Sequence, residues 1–159
     1  MMESETEMTD AAKTLAALEG SAETIRIPIA GMDGHHVVWR CWGSGEPLVL
    51  LHGGFGSWNH WVRNVEPLSA HYRVIAPDMA GQGDSDDPPH PFDADSLAAI
   101  LRDGLDRIVG DGRVRITAFS FGSIIGGVLA GGLGDRVISF TGVGAAGLGE
   151  RGPMTQQMI

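Results

Sequence analysis

Apolar and polar positions along the chain follow two periodicities, one typical of strands and the other of helices. Over residues 24–29 isoleucine occupies every second position, which predicts a half-buried strand. A glycine-containing turn separates this strand from a second apolar run at 36–42, so we predict an antiparallel hairpin. The preceding residues, 1–23, are polar and acidic and carry only a short predicted helix around residues 11–18.

The middle of the chain alternates buried strands with helices. Residues 47–51 and 73–77 are nearly continuous apolar runs, as expected of strands that helices cover on both faces. Helices are predicted over residues 59–69 and 93–109. In the second helix, five apolar side chains recur at helical spacing, and Asp93 or Asp95 is placed to cap its start. This order predicts an α/β fold with a mostly parallel sheet.

The last part of the chain repeats the pattern as a strand at 114–119, a helix at 123–133 and a strand at 136–143. Four glycines lie in this helix, and each disfavours it by about 1 kcal/mol relative to alanine. We therefore expect the helix to be held by close packing on the sheet and not to be an exposed surface helix. The four glycines are Gly126, Gly127, Gly131 and Gly132.

Composition narrows the class of protein. The chain has 159 residues, of which 43% are hydrophobic and 24 are glycine, which suits one domain. No apolar run reaches the roughly 18 residues of a membrane-spanning helix, and the acidic start lacks the basic region of a secretory signal. The net charge of -9 argues against binding to nucleic acid or to anionic membranes. The single cysteine, Cys41, is predicted to be a buried small hydrophobe, and a cytoplasmic location is the expectation.

Ser120 is the main candidate for chemistry. It lies between a predicted strand and a predicted helix with almost no loop, and small residues, Ala118 and Gly122, stand two positions away on either side. This is the pattern of a nucleophile elbow, in which a strained turn projects a hydroxyl above the sheet. Alanine at 118, in place of the usual glycine, adds one methyl group to a crowded place. The alternative is an ordinary strand-to-helix connection with an incidental serine.

Three segments, in this order, resemble the α/β-hydrolase family. Residues 50–58, LLHGGFGSW, are similar to its oxyanion loop, and residues 74–86, VIAPDMAGQGDSD, to its Asp-x-x-Gly-x-Gly-x-Ser loop. The third segment is the elbow, followed by a stretch that looks like the entry into that family's sixth strand. The resemblance covers residues 24–147. It implies an acidic N-terminal extension, 1–23, and the N-terminal part of a hydrolase domain, 24–159.

The resemblance assigns roles to residues. Ser120 would be the nucleophile, and the backbone N–H groups of Phe121 and Gly54 would form the oxyanion hole, with Phe55 as the near alternative to Gly54. His52 would be a structural hydrogen-bonding residue and not the base. No metal ion and no cofactor are expected.

We predict structural roles for the other side chains near these motifs. Trp58, His60 and Trp61 are expected to pack the helix beneath the oxyanion loop, and three phenylalanines are candidates for the core or a pocket wall. Three acids in the following loop are expected to be solvated. The phenylalanines are Phe55, Phe119 and Phe121, and the acids are Asp84, Asp86 and Asp87.

A catalytic triad in this family runs Ser, then an acid, then His, but all six histidines of the chain precede Ser120. Of the later acids, Asp135 is expected at the wrong side of the sheet, and Glu150 is a weak candidate. The resemblance implies a chain that lacks the lid and the last strands, at least roughly 60 residues. The sixth strand would then be an unprotected edge, so we expect self-association.

The resemblance implies a serine hydrolase for esters or related acyl compounds, with small and rather apolar substrates. A serine elbow disfavours the epoxide hydrolase and haloalkane dehalogenase branches, which use aspartate there. It does not separate esterase, lactonase, aminopeptidase, C–C hydrolase and haloperoxidase activities. Two alternatives remain open. One is an inactive fragment or pseudoenzyme that only binds a ligand or partner, and the other is a half-enzyme whose base comes from another chain.

Overall fold

A computed structural model of the chain describes residues 2–148, with side chains from residue 10 onward, and has the predicted α/β architecture. Within this range it contains six strands, four α-helices and two short 3₁₀ turns. The strands are β1 Glu23–Pro28, β2 His36–Trp42, β3 Pro47–Leu51, β4 Arg73–Pro77, β5 Val114–Phe119 and β6 Val137–Val143. The helices are α1 Met2–Ser21, α2 Val62–Ser69, α3 Ala94–Val109 and α4 Gly122–Leu133.

The strands form one mostly parallel sheet in the order β1-β2-β4-β3-β5-β6. The pairing of β1 with β2 is antiparallel, which confirms the predicted hairpin, and β2 pairs antiparallel with β4. The other neighbours are parallel. After β3 the chain forms β4 on one side of β3 within the sheet, and it then crosses over to form β5 on the other side of β3. The carboxyl ends of β3 and β5 therefore lie side by side at a topological switch point, where open α/β sheets bind ligands.

The core consists of two layers, one on each face of the sheet. Strand β3 contributes to both, because Leu48 and Leu50 belong to one cluster and Val49 and Leu51 to the other. Helices α3 and α4 cover the Val49 face, while α2 and the end of α1 cover the opposite face. Burial of β3 on both faces explains why its sequence is continuously apolar.

Helix α1 is longer than predicted. The sequence pattern indicated a helix around residues 11–18, whereas the structure has one from Met2 to Ser21. No glycine or proline occurs before Gly20, so nothing in the backbone stops the helix earlier. Its C-terminal end is docked, since the indole N–H of Trp42 donates to the Leu18 carbonyl at 2.8 Å.

The glycines of α4 have two different environments. A Cβ at Gly126 would lie 3.0 Å from Leu51 and 3.2 Å from Ala118, and one at Gly122 would lie 2.3 Å from the His52 carbonyl oxygen. These positions confirm the expected close packing. Gly127 and Gly131 lie on the other side of the helix, where both are exposed and face open space. With 3.6 residues per turn, only positions about four apart share the face that contacts the sheet.

One expectation from composition is met within the described residues. Cys41 is buried, and burial raises the pKa of its thiol to about 11, so it packs as an apolar side chain. Among the helices that the structure describes, none has the length and apolarity needed to span a bilayer.

The contact at Gly122 gives a stability prediction. Gly122→Ala is expected to lower the free energy of unfolding by about 1–3 kcal/mol, because the added methyl must displace the His52 backbone. The matched control is Gly127→Ala in the same helix, where the methyl meets nothing and helix propensity should raise stability by up to about 1 kcal/mol. Urea denaturation of both variants measures the difference. Equal effects of the two substitutions would show that the approach at Gly122 is not tight.

The two edges of the sheet differ in chemistry. Strand β1 carries Glu23 and Arg26 and ends in Pro28, all of which discourage pairing with another strand. Strand β6 has no charged residue. Its C-terminal half, residues 140–143, is exposed, with 40% of Phe140 and 43% of Val143 accessible to solvent. An uncharged, exposed edge of this kind is a template for strand pairing.

We therefore expect the 159-residue chain to self-associate through β6. Static light scattering should give a mass that rises with protein concentration, and Thr141→Lys, which adds a charge to the exposed half of β6, should reduce that rise. Thr24→Lys on the already charged β1 edge serves as the control and should leave the mass profile unchanged. A monomer at all concentrations would contradict this expectation.

Candidate active site

Ser120 occupies a strained turn between β5 and α4. Its φ angle is +50°, a left-handed conformation that costs a non-glycine residue roughly 1–2 kcal/mol. Backbone hydrogen bonds hold this turn, since the Ser120 N–H donates to the Val143 carbonyl at 3.0 Å and the Ser120 carbonyl accepts from Ser123 at 2.9 Å. Among the described residues its hydroxyl has no hydrogen-bond partner. The geometry matches the elbow that the sequence predicted.

The methyl group of Ala118 fits the elbow because a neighbouring residue makes room for it. Ala118 is fully buried, and its Cβ lies 3.2 Å from the position that a Cβ of Gly126 would occupy. A glycine one helical turn into α4 thus compensates for the alanine that replaces glycine on the strand side.

The turn after β3 lies directly against the elbow. A Cβ at Gly53 would stand 3.4 Å from the Ser120 Cβ, and one at Gly54 would stand 3.4 Å from the Phe121 Cβ. Within the described part of the chain, the N–H groups of Gly54, Phe55 and Phe121 have no hydrogen-bond partner. The structure therefore brings together the three residues that the sequence singled out, Ser120, Gly54 and Phe121, beside backbone donors that are not used internally.

His52 is fully buried beneath this turn, and backbone groups occupy both of its ring nitrogens. The Met79 N–H donates to Nε2 at 2.9 Å, so Nε2 carries no proton and Nδ1 donates to the Gly53 carbonyl at 2.7 Å. Burial lowers the pKa of the His52 ring, which favours this neutral form. The expected structural role of His52 is confirmed, and the ring has no free nitrogen to act as a base.

The bond from His52 also orients the next peptide group. A trans peptide is planar and its C=O and N–H point in opposite directions. Because the Gly53 carbonyl points at the His52 ring, the Gly54 N–H in the same peptide points away from it. The bond therefore influences the direction of one of the three unused donors, the Gly54 N–H.

Asp78, at the end of β4, joins the neighbouring loops to the sheet. Its carboxylate accepts from the Trp58 N–H at 2.7 Å, from the Asp84 N–H at 3.0 Å and from the Arg40 guanidinium at 3.0 Å. A Cβ at Gly83 would lie 2.5 Å from this carboxylate, and Gly83 has a φ of +58°. The second glycine of the Asp-x-x-Gly-x-Gly loop is therefore required both by space and by backbone conformation.

Arg40 is the buried cation that balances these acids. Besides Asp78, it pairs with Asp84 and, at 2.6 Å, with Glu19 of α1, and it lies over the Trp58 ring. Burial opposes the charge, but the three carboxylates outweigh it and raise the pKa of Arg40. The sequence analysis missed this residue, although a lone arginine inside the apolar run of β2 is a signal for a buried ion pair.

The acidic loop is solvent-accessible as expected, with 61% of the Asp84 side chain and 40% of the Asp86 side chain exposed, but two of its acids also bind β2. Asp84 pairs with Arg40, and Asp86 accepts from the His36 N–H at 2.8 Å, while Asp87 is exposed as expected. The loop lies beside the start of β2, where the Asp86 carboxylate accepts the His36 N–H and the Ser85 hydroxyl accepts the Val38 N–H at 2.8 Å each, at positions that β4 does not pair. No group of three side chains suited to a metal ion occurs among the described residues.

The remaining predicted residues divide between core and surface. Trp58 and Trp61 are buried as expected, whereas His60 is exposed and sits over the oxyanion loop instead of beneath it. Phe55 is 94% exposed and Phe119 is 36% exposed, both beside the elbow, while Phe121 packs on the core.

The two acids that follow the serine are not brought to the site. Asp135 lies in a 3₁₀ turn before β6, at the opposite end of the sheet from Ser120, as expected. Glu150, the weak candidate for the triad acid, lies outside the described residues.

Comparison with known proteins places this geometry in a family. The sequence model of the alpha/beta hydrolase fold matches residues 46–158. The chain is 34% identical over 137 residues to the dihydrolipoyllysine-residue acetyltransferase component of the acetoin cleaving system of Pseudomonas putida, covering 83% of this chain and 37% of that protein. It is 40% identical over 88 residues to 2-hydroxy-6-oxo-6-(2'-aminophenyl)hexa-2,4-dienoic acid hydrolase of Metapseudomonas resinovorans, covering 53% and 30%.

Among solved structures, the epoxide hydrolase CorEH without ligand superposes with a TM-score of 0.71 at 27% identity and covers 87% of this chain. The chain spans 49% of the length of that structure. It spans 37% of the length of the acetyltransferase component and 30% of the length of the dienoic acid hydrolase. The family model covers well over half of this chain, and the sheet order, elbow and oxyanion-type loop agree with it. The chain belongs to the α/β-hydrolase fold family.

Proposed function

We propose that this chain supplies the nucleophile and the oxyanion hole of a serine hydrolase that acts on esters or related acyl compounds. The observation that carries the proposal is the position of Ser120 at a positive φ beside the unused N–H groups of Phe121 and Gly54. A strained residue persists only where surrounding structure holds it, and such residues cluster at functional sites.

In the proposed reaction the Ser120 Oγ attacks the acyl carbon and forms a C–O bond. The carbonyl π electrons move to oxygen, and the N–H groups of Phe121 and Gly54 stabilise the resulting negative charge. Collapse of this intermediate breaks the bond to the leaving alcohol, which takes up a proton, and leaves an acyl-enzyme. Water then repeats the addition and releases the acid. Phe55 and Phe119 offer exposed aromatic surface beside the elbow, which suits an apolar acyl group.

The proton of Ser120 needs an acceptor. His52 cannot take it, because Nδ1 is protonated and Nε2 accepts the Met79 N–H. No histidine follows Ser120 in the sequence. In the serine-protease template, an oxyanion hole with an incomplete triad retains about 10³–10⁴-fold acceleration over water. We therefore propose that the chain alone acylates slowly and that an external base accelerates it.

A 2-hydroxy-6-oxo-dienoic acid is a second candidate substrate class. The supporting observation is the 40% identity to the hydrolase of one such acid. The printed name gives this acid a ketone carbonyl at carbon 6, and attack on such a carbonyl also builds negative charge on oxygen, so the same backbone donors would serve. The alternative to both is a chain that binds a ligand or partner without catalysis.

The test is acylation by p-nitrophenyl acetate with imidazole as the external base. We expect p-nitrophenolate release in excess of a protein-free blank at the same imidazole concentration, an excess that rises with imidazole, together with an acetyl group on the Ser120 peptide by mass spectrometry. Ser120→Ala should fall to the rate of the buffer blank, while the control Ser69→Ala, on α2 away from the elbow, should match the wild type.

Each other outcome has a defined meaning. An acetyl group on a different residue, or Ser120→Ala that reacts as fast as the wild type, contradicts the serine nucleophile. A wild-type chain that stays at the blank with imidazole present supports the non-catalytic alternative.

A further inference from the structure

His60 has no part in the reaction above, yet its position is closely defined. It lies in the 3₁₀ turn Trp58–Trp61 that follows the oxyanion loop. Buried Trp58 and Trp61 anchor this turn in the core, and the Ser57 hydroxyl caps its start by accepting from the Asn59 N–H. Because the two tryptophans and the Ser57 cap hold this turn in place, the His60 side chain is well suited to position a neighbouring backbone group.

The ring of His60 contacts both ends of the glycine turn. Its Nδ1 accepts the Gly53 N–H at 3.2 Å, and a Cβ at Gly56 would lie only 2.2 Å from its Cε1. The ring also packs edge-on against Phe119, with centroids 5.6 Å apart, and against His52 at 6.1 Å. His60 therefore closes over the loop from the solvent side while His52 supports it from the core.

The two histidines hold the two polar groups of one residue. His60 takes the N–H of Gly53, and His52 takes its carbonyl. A glycine has wide conformational freedom, so a single hydrogen bond leaves it able to rotate. With both groups held, the Gly53–Gly54 peptide has one orientation, and this orientation decides where the Gly54 N–H points.

We propose that His60 is a positioning residue for the oxyanion hole: by accepting the Gly53 N–H it fixes the peptide that presents the Gly54 N–H to the substrate. This proposal rests on the proposed serine hydrolase function. His60 does not touch the reacting atoms. Its loss should act through misplacement of a donor, and a displacement of about 1 Å in an active site can cost up to about 10²-fold in rate.

The experiment compares His60→Leu with His60→Asn in the imidazole-assisted acylation of the 159-residue chain. The two side chains have similar size, but only the Asn oxygen can accept the Gly53 N–H in place of Nδ1. We expect His60→Leu to lower the acylation rate at saturating ester about 10-fold with an unchanged half-saturating concentration. His60→Asn should stay within about threefold of the wild type, and Asn59→Ala on the same turn should match it.

Two results would overturn the proposal. One is wild-type acylation by His60→Leu, and the other is an equal loss in both His60 variants, since the hydrogen bond would then not be the cause. Wild-type protein gives an independent measurement if His60→Leu does not fold. An NMR scalar coupling across the hydrogen bond between the Gly53 nitrogen and His60 Nδ1 is expected, and its absence counts against the proposal.

Failure of this proposal is distinguishable from failure of the proposed function. If Ser120→Ala abolishes acylation while His60→Leu leaves it intact, the nucleophile stands and only the positioning role is lost. If acylation does not occur at Ser120 at all, the hydrolase proposal fails first.

Discussion

The site depends on the close approach of two backbone turns, one after β3 and the other after β5. Gly122 lies so near the His52 carbonyl that a Cβ would stand 2.3 Å from it, and a Cβ at Gly53 would stand 2.9 Å from the Phe119 ring. Only glycines allow this approach. The strain at Ser120 persists because the carbonyl of Val143, at the end of β6, holds its N–H. Strand β6 is therefore part of the site and not only an edge of the described sheet.

Buried polar groups keep the loops in register with the sheet. The Asp78 carboxylate joins β4 to the start of the Trp58–Trp61 turn, and Arg40 connects it to β2 and α1. His52 adds a second connection, from the oxyanion loop to Met79. Removing one member of such a network leaves a buried charge or donor unpaired, which costs more than the bond itself contributes. The N-terminal helix reaches the same network through Glu19.

The sequence predicted those features that depend on local pattern. The bounds of β2, β3 and β4 follow from apolar runs between turns, and the elbow follows from small residues around Ser120. Features that depend on distant partners were missed. The pairing of Asp84 with Arg40 spans 44 positions, so the local pattern gave no sign of it. The open faces of Gly127 and Gly131 likewise depend on which side of α4 contacts the sheet, and the position of His60 over Gly53 is set by two buried tryptophans.

In the proposed function Ser120, Gly54 and Phe121 form one reacting centre. The most direct measurement is a crystal structure of the chain after reaction with a p-nitrophenyl alkylphosphonate in the presence of imidazole. We expect phosphorus bonded to the Ser120 Oγ, with the phosphoryl oxygen about 2.7–3.1 Å from the backbone nitrogens of Phe121 and Gly54. Phosphorus on another residue, or a phosphoryl oxygen turned away from both nitrogens, would contradict it.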